Sequence, residues 1–372
     1  MKMRWCVLIS VAAILLSTVV AIAGQDWAAI EAAAKQEGQV VIYSVSSRMG
    51  DIVDDFKAKY GIDVVWYDME STDQVNKFTR EYDAGVYEVD VLYGNNDPLL
   101  KGELLPAGKV EPFVPDSVLP FIDKNEMDPF LVQRWSSRVV IYNAALNPDG
   151  PPINSLWDLT RPEWKGKVLT PDPLSGVQAD AYQTIIDHPE EMAAAYEREF
   201  GEPIVLSPGI KDAGEEWFYR FIKNEPVTMS STSKCAKGVG DIEQTGTPPI
   251  GLTTFSKLRK YGVDPCGTGS YAAAPIYDLD PVFGVAYPTV FSLSTKAPHP
   301  NAGKLLIRYL MEEGYWPWNE VGDYAARSDI EALQVHSFNI PTFAEAKLWI
   351  EDSQYVYDNA YNYTEFYLSI AP

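Results

Sequence analysis

The chain has 372 residues, enough for two domains of ordinary size, and a formal net charge of −22. Its 52 Asp and Glu against 30 Lys and Arg exclude a general nucleic-acid binder, whose surface must neutralise phosphates. The overall sign does not exclude an anionic ligand, because a pocket can carry the opposite local potential.

Lys2 and Arg4 precede an apolar run, residues 7–20, that ends at Ala21-Ile22-Ala23. This reads as a secretory signal peptide, residues 1–23, cleaved after Ala23. Its loss takes the net charge to −24 and leaves a soluble protein expected in the periplasm. Of the three cysteines, Cys235 and Cys266 remain. An even pair in a secreted chain suggests a disulfide, worth about 3–4 kcal/mol in the chain-entropy model; two separate buried thiols are the alternative.

In chain order, a helix over residues 27–36 ends at Gly38. Residues 40–43 and 63–66 are short β-rich runs. Between them Ile52, Val53, Phe56 and Tyr60 share one helical face closed by Gly61. Strand, helix, strand reads as a βαβ unit with a parallel sheet. The first turn carries Ser46, Ser47 and Arg48, polar groups beyond a strand end where ligands of open α/β sheets sit. A helix over 74–82 is expected to be capped by Ser71 or Thr72. A buried strand over 89–93 runs into Gly94-Asn95-Asn96-Asp97. Residues 135–143 read as a strand with Arg138 near its start. A strand over 168–170 leads to Ser175-Gly176, a helix N-terminus with Ser175 as its cap. Helices follow over 192–200 and 214–224, then a strand over 226–229 ending in the loop that holds Ser231, Thr232 and Lys234. Next come a short helix over 239–243 and a strand over 249–254 ending in Thr253-Thr254. The strand over 285–293 contains Tyr287-Pro288, a helix spans 301–312, and the tail from Thr342 is helical and aromatic-rich.

No catalytic constellation is specific. The three histidines are scattered, and H-E-x-x-H, G-x-S-x-G, P-loop and G-x-G-x-x-G patterns are absent. What recurs is strand ends offering Ser, Thr, Asn and Arg, the donors that hold an oxygen-rich ligand.

Four stretches, EGQVVIYSVSS, VDVLYGNND, SSRVVIYN and SLSTKAPHPNAGKLLIRYL with GDYAARSDI, resemble the periplasmic solute-binding proteins of ABC importers. The group is that of ferric-iron and phosphosugar binders, within the extracellular solute-binding proteins. The resemblance implies an α/β, two-lobe, type II periplasmic-binding-protein-like fold with mixed sheets, hinged by crossing strands. Lobe 1 is expected over 24–137 plus 284–335, and lobe 2 over 138–283 plus 336–372. It implies a monomer that is no enzyme, needs no cofactor, and delivers a small molecule to an inner-membrane permease. The expected ligand-binding set is Ser46, Ser47, Arg48, Thr72, Asn95, Arg138, Ser175, Gly176, Ser231, Thr232, Thr253 and Tyr287. Ferric binders carry a histidine in the first loop, a glutamate after the third strand and a tyrosine pair. Here Ser47 and Asn95 stand there and no Tyr-Tyr occurs, a poor set for hard trivalent iron. An anionic organic ligand is expected, with Arg138, Arg48 and Lys234 as counter-charges. The alternatives are a cation such as a polyamine, held by Asp97, Asp172 or Asp241 with Tyr43, Tyr93 and Tyr287, or a ferric ion. A secreted enzyme or a sensor that serves a membrane receptor are further alternatives.

Overall fold

Asp26 caps the first helix, α1 (Trp27–Glu37), and Gly38 ends it with φ 74°, turning the chain into β1 (Gln39–Ser44). In this computed structural model residues 24–95, 97–264, 269–331 and 340–371 are described. The expected signal peptide, residues 1–23, and Cys266 lie outside them. Helix α2 (Met49–Tyr60) buries Ile52, Phe56 and Tyr60, the face expected from their spacing, and returns as β2 (Asp63–Asp68), parallel to β1. Helix α3 (Ser71–Asp83) and β3 (Val91–Gly94) repeat the unit. A short helix α4 (Asp97–Leu99) and a wider π turn (Leu100–Leu104) then lead to β4 (Val110–Glu111).

Strand β5 (Leu131–Asn143) is longer than its expected core, so Arg138 lies mid-strand rather than near its start. Then come β6 (Val168–Pro171), α5 (Gly176–Ile186), α6 (Pro189–Phe200), α7 (Ala213–Lys223) and β7 (Val227–Met229). The stretch expected as a hydroxyl-rich loop is instead the start of α8 (Thr232–Gly240), capped by Ser231. After it run β8 (Ile250–Thr254), α9 (Leu258–Tyr261), β9 (Ala273–Pro275) and β10 (Gly284–Ser294). Helix α10 (Pro300–Met311), β11 (Asp323–Ala325), β12 (Leu348–Ile350) and α11 (Ser353–Ile370) complete the chain. Among the described residues no helix is long and apolar enough to cross a membrane.

The strands form one mixed sheet in the order β2-β1-β3-β10-β5-β8-β6-β7, not two separate ones. Its two long central strands, β5 and β10, pair antiparallel and serve different cores along their length. One core gathers Phe56, Phe78, Tyr93, Leu131, Phe291 and Leu306; a second gathers Val140, Trp157, Tyr182, Trp217, Phe221 and Val285. A third packs Val139, Phe255, Phe283 and Tyr324 on the other side of β5. The expected lobe boundary at 137/138 falls inside β5, and that at 283/284 at the first residue of β10.

Candidate functional site

Strand alternation puts Arg134, Ser136 and Arg138 of β5 on one face. The Arg138 guanidinium donates to the Thr254 hydroxyl at the end of β8 and, at 3.1 Å, to the Tyr287 hydroxyl of β10. It also lies 5.3 Å from the Tyr287 ring centroid, and its Nε is buried without a hydrogen-bond partner. Nearer the first core, Asp323 of β11 accepts from Ser136 Oγ at 2.6 Å and pairs with Arg48 at 2.9 Å and Arg134 at 3.7 Å. Burial works against the Asp323 charge, but the two guanidiniums and the Ser136 hydroxyl outweigh it and hold the carboxyl below its ordinary range.

Two further cations follow β8, Lys257 at the end of a short 3-10 turn and Arg259 on α9, both half-buried. Arg259 donates to the Ser256 carbonyl at 2.7 Å. The Lys257 ammonium makes no hydrogen bond or ion pair among the described residues. Burial, then the neighbouring Arg259, Arg48 and Arg138, push its pKa down to about 8; Asp323 opposes them. Burial and Arg48 likewise lower Arg259. Arg48, Arg138, Lys257 and Arg259, from three separate segments, thus act on one another electrostatically, with Asp323, Glu320 and Asp180 as the opposing carboxylates.

The expected residues divide into those that meet and those committed elsewhere. Arg138 and Tyr287 meet, joined by Thr254 rather than Thr253: Thr253 is fully buried and donates to the Thr232 carbonyl at 2.8 Å. Thr72 and Gly176 meet across the molecule, since a Cβ on Gly176 would lie 3.4 Å from the Thr72 hydroxyl. Asn95 is tied beside them: its N–H donates to Ser71 at 2.9 Å and its amide to Pro288 and Thr289 on β10. Ser46 accepts from the Trp318 indole at 3.1 Å, and Ser47 is exposed next to it. Arg48, expected as a counter-charge, is paired with Asp323. Ser71 and Thr72 lie inside α3, whose cap position is Glu70. Ser175 stands at the cap position of α5 but makes no side-chain cap; its hydroxyl donates to the Asp172 carbonyl at 3.0 Å. Ser231 is used in capping α8, and Lys234 on that helix is exposed. Cys235 is a buried free thiol, pushed up to about 12 by burial, and its expected partner Cys266 is not among the described residues.

The groups weighed for a cation do not form a cage. Tyr93 is buried in the first core, stacked on Phe291 at 4.8 Å, and Tyr43 donates to Glu81. Asp97 pairs with Lys101 and Ser353, while Asp172 and Asp241 accept backbone N–H groups of their own turns. Among the described residues no three His, Cys, Asp or Glu come together as a metal site. Lys257 and Arg259 were missed by sequence reasoning, although the same strand-end rule points three residues past Thr254.

A family model for the bacterial extracellular solute-binding protein matches residues 51–313, spanning both central strands and the cationic turn. The chain belongs to that family. No curated protein matches this solute-binding protein in sequence. Solved structures share its fold at low identity. Iron-bound HitA from Pseudomonas aeruginosa superposes with a TM-score of 0.68 at 17% identity, covering 90% of this chain and 99% of the other. A Trichodesmium FutA complex with iron and citrate gives 0.60 at 16%, covering 90% and 99%. AfuA from Actinobacillus pleuropneumoniae, with fructose-6-phosphate bound, gives 0.64 at 17%, covering 89% and 98%. These likenesses establish a type II periplasmic-binding-protein-like α/β fold for this solute-binding protein.

Proposed function

We propose that this protein is the periplasmic component of an ABC importer. It would be exported by a signal peptide cleaved after Ala23, act as a monomer without a cofactor, and perform no chemistry on its cargo. The cargo is a small anionic organic solute carrying phosphate, phosphonate or carboxylate, taken up between two lobes divided near 137/138 and 283/284 and handed to an inner-membrane permease. One observation carries the reading: the half-buried Lys257 ammonium makes no hydrogen bond or ion pair among the described residues, and the charges of Arg259, Arg48 and Arg138 act against it more than Asp323 supports it. An unpaired, half-buried ammonium among guanidiniums is unfavourable until an anion arrives. The helix N-termini at Thr72 and Gly176 add N–H donors of the same polarity. Some relatives bind iron, but this centre would repel a bare trivalent cation; the phosphosugar bound to AfuA suits it better.

A thermal-shift panel of phosphosugars, phosphonates, carboxylates, spermidine and ferric citrate tests the reading. A ligand at about 100 times its Kd adds about 2.7 kcal/mol of stability. Stabilisation by an anion, weakened about tenfold in affinity by Arg138→Ala, is expected. Stabilisation by spermidine with none by any anion overturns it.

A further inference from the structure

The C-terminal segment crosses both cores. Strand β12 adds in parallel to β10, pairing Leu348, Trp349 and Ile350 with Gly284, Val285 and Ala286, and the Glu351 N–H continues the ladder to the Ala286 carbonyl at 2.9 Å. Toward the first core, Ser353 donates to Asp97 at 2.5 Å, and Tyr357 packs so closely on Gly102 that a Cβ there would lie 2.6 Å from its ring. Toward the second, Tyr363 donates to the Pro173 carbonyl at 2.7 Å and Lys223 donates to the Ile370 carbonyl at 2.8 Å. The His188 ring stacks on Trp349 at 4.0 Å.

Where these contacts meet, Glu351 is 6% exposed, and both its carboxyl oxygens are buried without a hydrogen-bond partner. The charges acting on it come from every side: Asp180 of α5, Asp97 beside the π turn, Asp352 in its own segment, and Lys101 as the opposing cation. Lys101 is already paired with Asp97 at 2.7 Å, and Asp352 is occupied capping α11. A metal ion has no three-ligand site here among the described residues. A proton needs no room, and it removes the one charge that neither solvent nor a partner supports.

We propose that a proton on Glu351 pins the C-terminal segment across the two halves, so that the protein is held together by acid and loosened at that seam by alkali. Burial first, then Asp180 and Asp97, raise the Glu351 carboxyl well above its ordinary range; burial also lifts Asp180 to about 7, against the pull of Arg138. For a carboxyl raised on folding, the stabilisation is complete below the ordinary carboxyl range and disappears as pH climbs through the folded value. This device is independent of what the cationic centre binds.

The test compares wild type with Glu351→Gln, a neutral side chain of the same size, by thermal midpoint and by hydrogen exchange over residues 348–370 from about pH 5 to about pH 8. Near pH 5 the two proteins should lie closest together, and the gap between them should widen as the pH rises. Near pH 8 the variant should melt higher and exchange several-fold more slowly in α11. An offset between them that is the same at every pH, or a wild type more stable than the variant near pH 8, overturns the proposal. Should Glu351→Gln not fold, Asp180→Asn takes its place: it relieves the same repulsion and must flatten the same pH dependence, while an unaltered slope counts against the proposal. An anion titration alongside separates the two readings, since lost anion binding with this pH behaviour intact strikes only at the transport reading.

Discussion

Lys257 concentrates the conflict between stability and binding in one side chain. Its pKa near 8 means that the folded protein holds its proton less tightly than the unfolded chain does. Lowering the pH through that value therefore charges a group the fold disfavours, and stability from this residue is lost as pH falls. Lys257→Gln should raise the ligand-free melting temperature at neutral pH while weakening the anion by tenfold or more, as calorimetry would read. A parallel loss of stability and affinity would contradict this. In wild type the anion should also bind more weakly above about pH 8, since the ammonium is then increasingly neutral. Sequence reasoning found Arg138 because a cation inside an apolar strand run is conspicuous. It passed over Lys257 because a lysine in a turn usually faces water. The Arg48–Asp323 pair was not legible: the two lie 275 positions apart, and no local pattern announces a contact so distant.

At the scale of elements, the N-terminus of α5 meets that of α3 through Gly176 and Thr72. Gly176 has φ +31°, a conformation that side chains disfavour, and little space in front of it. Gly176→Val should cost about 1–2 kcal/mol from the backbone alone, seen in denaturant midpoints. It should also reduce anion affinity, because the added methyls press on the Thr72 hydroxyl. Thr72→Ala in the same background should recover affinity and leave the stability loss in place. Most elements were legible because each carries its own signal: the Ile52, Val53, Phe56, Tyr60 face, the glycine stops at Gly38 and Gly61, the β-rich runs of β1 and β10. The start of α8 was not, since Ser230 to Lys234 is as suited to a loop as to a capped first turn, and burial of Cys235 and Ala236 decides for the helix. The tail hid a strand because three residues on an edge give too little periodicity to read.

At the scale of the molecule, β5 and β10 belong to both main cores, and under the two-lobe reading proposed above a relative motion of the lobes would bend these strands. With the cleft reading, an anion that binds the closed arrangement better shifts the population toward it. Solution scattering should then give a smaller radius of gyration with the anion than without it. An unchanged radius, with binding verified by calorimetry, would mean that the halves are already as close as they come.

The placement of β10 also governs when the protein can take shape. It lies between β3 and β5 in the sheet, yet it arrives some 140 residues after one of these neighbours and 190 after the other. The helix α10 that completes the first core arrives later still. A polypeptide threaded head-first through a narrow pore would have its early strands ready long before their central neighbour emerged. If the chain is exported as proposed above, premature collapse would thereby be discouraged and the chain would stay pliable for most of its passage.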